Sequence, residues 1–295
     1  MAQDVFAFMG RVIALGHPGG VIYAPTRTGK TRLLMMSVER AQSVKGLRNN
    51  SFESKTLAID ATDRLVLSEG GFWTWLLGQV GHREALSRCG PANKRHLAVE
   101  YFKGLANTIP SGRVVLFVDE AQHLTLVELG WFADLFNALD KAGFKLVLFL
   151  VGSYHLQKWN IELQGKAHAH IRSRFFSQEH PLRGLANLDD FRRCLHRYDA
   201  DTEPFGGPET FTSHFQSAWH AQGGRLADHA GVLRQAFGEA CERLRGFEVP
   251  MAYFALAVRT LLDQPPLKEV TLELMRTIVT GTPFAKNYDP GQITE

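Results

Sequence analysis

Cysteine is scarce in this chain: Cys89, Cys194 and Cys241 are its 3 in 295 residues, far apart and without metal-ligand spacing. That excludes a disulfide framework and a zinc module, and it predicts a reducing, cytoplasmic setting. No apolar run approaches the ~18 residues of a membrane span. The N-terminus has neither the basic start nor the cleavage site of a secretory signal. A soluble protein with no membrane partner is therefore expected. Net charge is small too, +3 in all, which is too little to argue for nucleic acid by itself.

Hydrophobic residues make up 45% of the sequence, enough to bury a large core, and the length suits two compact units. Charge divides the chain: residues 1–184 hold 22 Lys/Arg against 15 Asp/Glu, whereas residues 185–295 hold 11 against 15. A basic front suits a bound triphosphate and also a polyanion, although part of the excess serves the nucleotide itself.

The strongest local signal is Ala24-Pro25-Thr26-Arg27-Thr28-Gly29-Lys30-Thr31, set between the apolar Val21-Ile22-Tyr23 and Arg32-Leu33-Leu34. Strand, tight loop and helix start in that order form the setting of a phosphate-binding loop. The loop from Pro25 and the first helical turn through Arg32 would cradle the phosphates, with backbone N–H groups from Thr26 onward facing them at the positive end of the helix dipole. Lys30 would reach the β and γ oxygens of ATP, and Thr31 would offer its hydroxyl to Mg²⁺. The pattern usually opens with Gly; here it opens with Ala24.

A second motif answers it. Val114-Val115-Leu116-Phe117-Val118 reads as a strand buried on both faces, ending in Asp119-Glu120. Asp119 would hold Mg²⁺ through water, and Glu120 would orient and deprotonate the attacking water. A glutamate beside the aspartate favours an NTP hydrolase over a kinase, which has no use for an activated water.

Taken in order, residues 4–15 have helical spacing with Asp4 as N-cap, a lead-in that serves the core or flanks the adenine. The helix from Lys30 is expected to run to Lys45 and to be followed by a loop over 46–54. Residues 55–61 read as a strand, Phe72 to Leu77 as an aromatic helix whose tryptophans serve core or subunit contact. Pro91 starts a helix to Asn107 carrying Lys94, Arg95 and Lys103, either a solvated face or contacts to a DNA phosphate backbone. A helix is expected over 123–141 and a strand over 144–151, ending at Gly152-Ser153. Ser153 is then a γ-phosphate sensor or a helix cap. A helix over 156–170 precedes a fifth strand over 175–182. Arg172 and Arg174, just ahead of that strand, are either salt-bridged locally or projected into a neighbouring subunit's site. Beyond Leu185 five helices are expected, over 188–198, 211–221, 225–245, 249–263 and 268–280, and then a tail from 282. Arg234 follows Gly231 near the start of a long helix, able to fold back over the phosphates.

The ordered set Lys30-Thr31, Asp119-Glu120, Ser153, Ser173-Arg174 and Gly231-x-x-Arg234 resembles an AAA+ ATPase. Asp119-Glu120-Ala121-Gln122-His123 with Leu150-Val151-Gly152-Ser153-Tyr154 is similar, more narrowly, to the TniB/TnsC group of transposition regulators. ExeA-like secretion ATPases and IstB-like helicase loaders share part of that string and stand as alternatives. The resemblance implies an α/β, AAA+ P-loop core over 1–184 with a central parallel five-stranded sheet, a smaller helical lid region over 185–281, and a tail over 282–295. It further implies an ATP- and Mg²⁺-dependent homo-oligomer, ring or helical filament, on double-stranded DNA. That oligomer links a target-selection protein to the transposase, and hydrolysis drives disassembly. By position, the resemblance makes Ser153 the first sensor, Arg174 the arginine acting in trans with Arg172 as understudy, and Arg234 the second sensor.

Overall fold

The computed structural model describes residues 2–43, 54–62, 68–163, 168–202, 206–243 and 246–288. The chain divides into two compact units, Met1–Ala24 with Lys30–Leu182, and Pro25–Gly29 with Arg183–Glu295.

The first unit is built on five strands: β1 (Gly19–Tyr23), β2 (Lys55–Asp60), β3 (Arg113–Asp119), β4 (Lys145–Gly152) and β5 (Glu179–Pro181). They pair in the order β2-β3-β4-β1-β5, every pair parallel. The period of two along each strand assigns its side chains to two cores. Val114, Leu116 and Val118 of β3, with Leu146, Leu148 and Leu150 of β4, join one core. Val115 and Phe117, with Val147, Phe149 and Val151, join the other. Both faces are thus apolar, which explains the unbroken hydrophobic runs in the sequence.

The first core is covered by α3 (Glu69–Gln79), α4 (Pro91–Asn107), α5 (Leu126–Lys141), α6 (His155–Glu162) and α7 (Ala169–Phe175). Trp73 and Phe72 are fully buried there, so the tryptophan question resolves to core for Trp73. The second core is covered by α1 (Ala2–Ala14) and α2 (Lys30–Ser43). Every connection between parallel strands crosses over through helix, the arrangement that places loops after β1, β3 and β4 on one edge of the sheet.

Several expected boundaries shift. Asp4 lies inside the first turn of α1, which starts at Ala2, so it is not the N-cap. The end of the helix at Lys45 and most of the 46–54 loop lie outside the described residues. The helix expected from His123 begins at Leu126, because Thr125 and Glu128 close a capping box; a short 3₁₀ turn, Ala121–His123, precedes it. Ile171 and Phe175 are buried at a spacing of four, which is helical, so β5 shrinks to three residues paired with β1.

The second unit is helical: α8 (Leu188–Ala200), α9 (Phe211–Phe215), α10 (Ser217–Ala221), α11 (Ala230–Ala240), α12 (Met251–Leu262), α13 (Leu272–Thr280) and α14 (Phe284–Asn287). The expected helix over 211–221 breaks at Gln216, whose buried amide serves Leu262 O, Gln264 O and the Leu267 N–H. The one expected over 225–245 becomes a 3₁₀ turn at Leu226–His229 followed by α11. Phe284, in the stretch expected as a tail, is fully buried against Phe237 and Tyr253.

The aromatic contact that fixes α5 on α3 offers a direct check of the first core. Phe132 is fully buried with its ring 5.0 Å from Phe72 in an edge-to-face pair. Phe132→Ala is expected to lower unfolding free energy by about 3–5 kcal/mol, read from the urea midpoint by circular dichroism.

Candidate nucleotide site

The loop between β1 and α2 bends through two left-handed residues, Arg27 at φ 64° and Gly29 at φ 100°. Gly29 alone among them has no Cβ to oppose that backbone. Thr28 is buried and donates its hydroxyl to Pro25 O at 2.8 Å, closing the loop on itself. Arg27 O accepts the Ala252 N–H at 3.1 Å, and its guanidinium lies over the Tyr253 ring at 5.7 Å. Both contacts are with the start of α12, in the second unit to which Pro25–Gly29 belongs. Pro25 is half-buried, and Thr26 is exposed.

Lys30 and Thr31 open α2. Lys30 is buried, and burial pushes its ammonium down from the ordinary lysine range while Glu120 and Asp119 pull it back up. Thr31 donates its hydroxyl to Asp119 Oδ2 at 2.7 Å, joining the two motifs across the sheet edge. Arg32, next on the helix, is exposed. Asp119 is itself buried, and that burial raises its carboxyl, opposed by the bonds from Thr31 and from the Glu120 N–H at 2.9 Å.

Glu120 occupies the left-handed region, φ 49° and ψ 38°, an uncommon conformation for a non-glycine and one that costs about 1–3 kcal/mol. It turns the chain sharply off β3 into the 3₁₀ turn. Gln122, two residues on, donates its amide to Glu120 Oε2 and accepts the Ser153 N–H on Oε1 at 3.0 Å. Sequence reasoning gave Gln122 no role, although it stands inside the quoted string Asp119–His123. Ser153 itself shares a hydrogen bond between its hydroxyl and His155 Nδ1 at 3.0 Å.

Thr31 and Asp119 present hard oxygens only. Among the described residues no group of three His, Cys, Asp or Glu could cage a metal. That combination fits Mg²⁺, which uses one or two protein oxygens and completes its octahedron with water and phosphate.

The arginines expected near the site are placed differently from one another. Arg174 is half-buried, bonded to Asn137 Oδ1 at 3.1 Å and His170 O at 3.1 Å, with its guanidinium 5.6 Å over the Phe136 ring. Arg172, two residues before it, is exposed and borders a cavity shared with Ser173, Phe176 and Glu179. Arg234, in the second unit, lies 5.0 Å over the Phe247 ring with its Nε on Ala186 O at 3.4 Å. The three basic residues of α4 separate as well. Lys94 is only 3% exposed, its Nζ on Glu84 O at 3.1 Å, on Ala85 O, and on Ser87 Oγ at 3.3 Å. This corrects the expectation of a DNA contact there: the ammonium is buried and saturated by the loop before α4. Arg95 pairs with Asp134 at 3.3 Å, and Lys103 with Glu100 at 2.8 Å, both at the surface.

The five-stranded parallel sheet and its order are those of the AAA+ fold. Residues 16–159, from just before β1 into α6, match the AAA domain family. No curated protein sequence matches the chain. Among solved structures, the Aeropyrum pernix ORC2 protein, described as ADPNP–ADP complexes, is similar over 95% of this chain and 66% of its own, at 12% identity and TM-score 0.57. Cdc6p from Pyrobaculum aerophilum is similar over 66% of this chain and 47% of its own, at 19% identity and TM-score 0.44. Domain III of the Thermotoga maritima replication initiation protein DnaA is similar over 94% and 91%, at 14% identity and TM-score 0.46. The chain therefore spans less than two thirds of the ORC2 and Cdc6p chains.

The Thr31–Asp119 bond sets a test of the metal assignment. Thr31→Val removes the hydroxyl and keeps the shape. Affinity for a fluorescent ATP analogue in Mg²⁺ is expected to fall roughly 10- to 100-fold, with affinity in EDTA little changed.

Proposed function

We propose that this chain binds ATP with Mg²⁺ and hydrolyses it. The observation that carries the reading is the 2.7 Å hydrogen bond from Thr31 to Asp119, which sets the end of the phosphate-binding loop against the acidic end of β3. When bound, Mg²⁺ would supply charge neutralisation at the phosphate oxygens. Thr31 and Asp119 would hold it, and Lys30 would neutralise the β and γ oxygens. Burial favours that role, since a lysine already held below its ordinary range gains most from an anionic partner. Glu120, turned off the strand end by its left-handed backbone, would orient the attacking water and accept its proton. The likeness in fold to the ORC2 protein, whose structure holds ADPNP and ADP, supports the nucleotide assignment.

The finer reading is an oligomer on double-stranded DNA that couples a target-selection protein to a transposase. It rests on the sequence resemblance to the TniB/TnsC group and on the basic excess of residues 1–184, 22 Lys/Arg against 15 Asp/Glu. Arg174 would act in trans. The Phe136 ring and Asn137 hold its guanidinium in one orientation, and its bonds to Asn137 and His170 leave N–H donors for a phosphate. Arg172 lies two residues away as the alternative. Arg234, engaged with Phe247, would need to leave that ring to act as a second sensor. Arg95 and Lys103 remain the proposed DNA contacts of α4.

Phosphate release measured with and without duplex DNA tests the reading. Glu120→Gln is expected to retain ATP binding and lose turnover by about 10²–10⁴-fold. Arg174→Ala is expected to bind ATP normally and lose roughly 10³-fold of DNA-stimulated turnover. A Glu120→Gln rate equal to the parent would sink the hydrolase assignment. Strictly monomeric behaviour with ATP analogue and duplex, by light scattering, would sink the trans arginine.

A further inference from the structure

We propose that Gln122 is a positioning residue: its side-chain amide sets the carboxylate of Glu120 and ties it to the end of β4. The inference rests on the reading of Glu120 as the base.

The amide bridges two strand ends. Its Nε2 donates to Glu120 Oε2, and its Oε1 accepts the Ser153 N–H at 3.0 Å. The orientation of the amide is fixed by its partners, since a carboxylate only accepts and a backbone N–H only donates. Flipping the group would break both bonds. Two backbone features make room for it. The left-handed turn at Glu120 and the following 3₁₀ turn bring side chains 120 and 122 together. At Gly152 a Cβ would collide with Gln122 Oε1 and with Leu156 Cδ1, so the amide lies against bare backbone.

A carboxylate held at one oxygen has its plane and rotamer set, leaving the other oxygen to take a proton. That is the arrangement in which a base is oriented by a third group. Here the third group also touches Ser153, the residue after β4. A shift of the β4 end would therefore be felt at Glu120 through one rigid, planar amide. A purely structural staple of the 120–123 turn predicts loss of stability without a selective loss of turnover.

Full-length Gln122→Met and Gln122→Glu, together with Gly152→Ala, separate these roles. Met fills the space without hydrogen bonds. Glu keeps an acceptor for the Ser153 N–H and places a like charge on Glu120. Gly152→Ala crowds the amide with Gln122 still present. With Mg-ATP and duplex DNA, all three are expected to lose kcat about 10- to 100-fold. KM and ATP-analogue affinity are expected to stay at parental values, and so is the melting midpoint of Gln122→Met; the clash at Gly152→Ala lowers that variant's midpoint. Parental kcat in Gln122→Met or Gln122→Glu would overturn the proposal. So would a matching loss of nucleotide affinity, or loss of the melting transition in all three, which would make Gln122 a folding staple. Failure of the base reading is distinguishable, because then Glu120→Gln itself would turn over at the parental rate.

Discussion

A buried carboxylate at the end of a central strand is the constraint from which the rest of the structure follows. Asp119 closes β3 at 6% exposure, where an unpaired charge would be expensive. Two donors hold it, the Thr31 hydroxyl on one oxygen and the Glu120 N–H on the other. Thr31 lies 88 residues earlier, so the bond is available only if the helix after β1 starts beside the end of β3. The sheet order supplies that, with β4 alone between β3 and β1 and all three strands parallel. Their carboxyl ends then emerge on one edge, where the start of α2, the acidic pair and Ser153 collect.

Holding these groups together has a cost that the core offsets. Lys30 and Asp119 are both removed from water, and each is shifted by burial toward its neutral form. Glu120 adds a left-handed backbone. Such polar strain persists only where the surroundings over-determine it. Here they do, since the strands that carry the site are flanked by apolar clusters on both faces. A triphosphate with a divalent cation is the ligand class that would relieve both shifts at once, giving Lys30 an anion and Asp119 a counter-charge.

What the sequence made legible and what it hid divide along physical lines. β3 and β4 were readable because strands buried on both faces leave unbroken apolar runs, Val114 to Val118 and Leu146 to Val151. The loop and the acidic pair were readable because their residue types sit at fixed spacing. β5 was overdrawn since a three-residue edge strand has almost no pattern of its own, and Phe175 and Phe176 at the end of the preceding helix looked like its start. The break at Gln216 was invisible because its three partners lie 46 to 51 residues downstream. Lys94 deceived for the same reason in miniature: its acceptors are mostly backbone carbonyls, which carry no residue signature. Gln122 was in plain view, yet only the left-handed turn at Glu120 reveals what it touches.

The correction at Lys94 also changes how the proposed DNA contact must work. With that ammonium withdrawn, α4 offers Arg95 and Lys103, both already in surface ion pairs with Asp134 and Glu100. Exposed pairs of this kind are worth only about 0–1 kcal/mol, so each can be exchanged for a phosphate at little cost. Held in exchangeable pairs, Arg95 and Lys103 add nothing to the basic excess of residues 1–184, so no preformed patch of α4 carries it. A diffuse positive field steers a polyanion and positions it by its backbone without reading bases. Contacts so weak in one copy gain strength only when many copies repeat them along the same duplex, which is the circumstance in which a nucleotide-dependent assembly has a use for them.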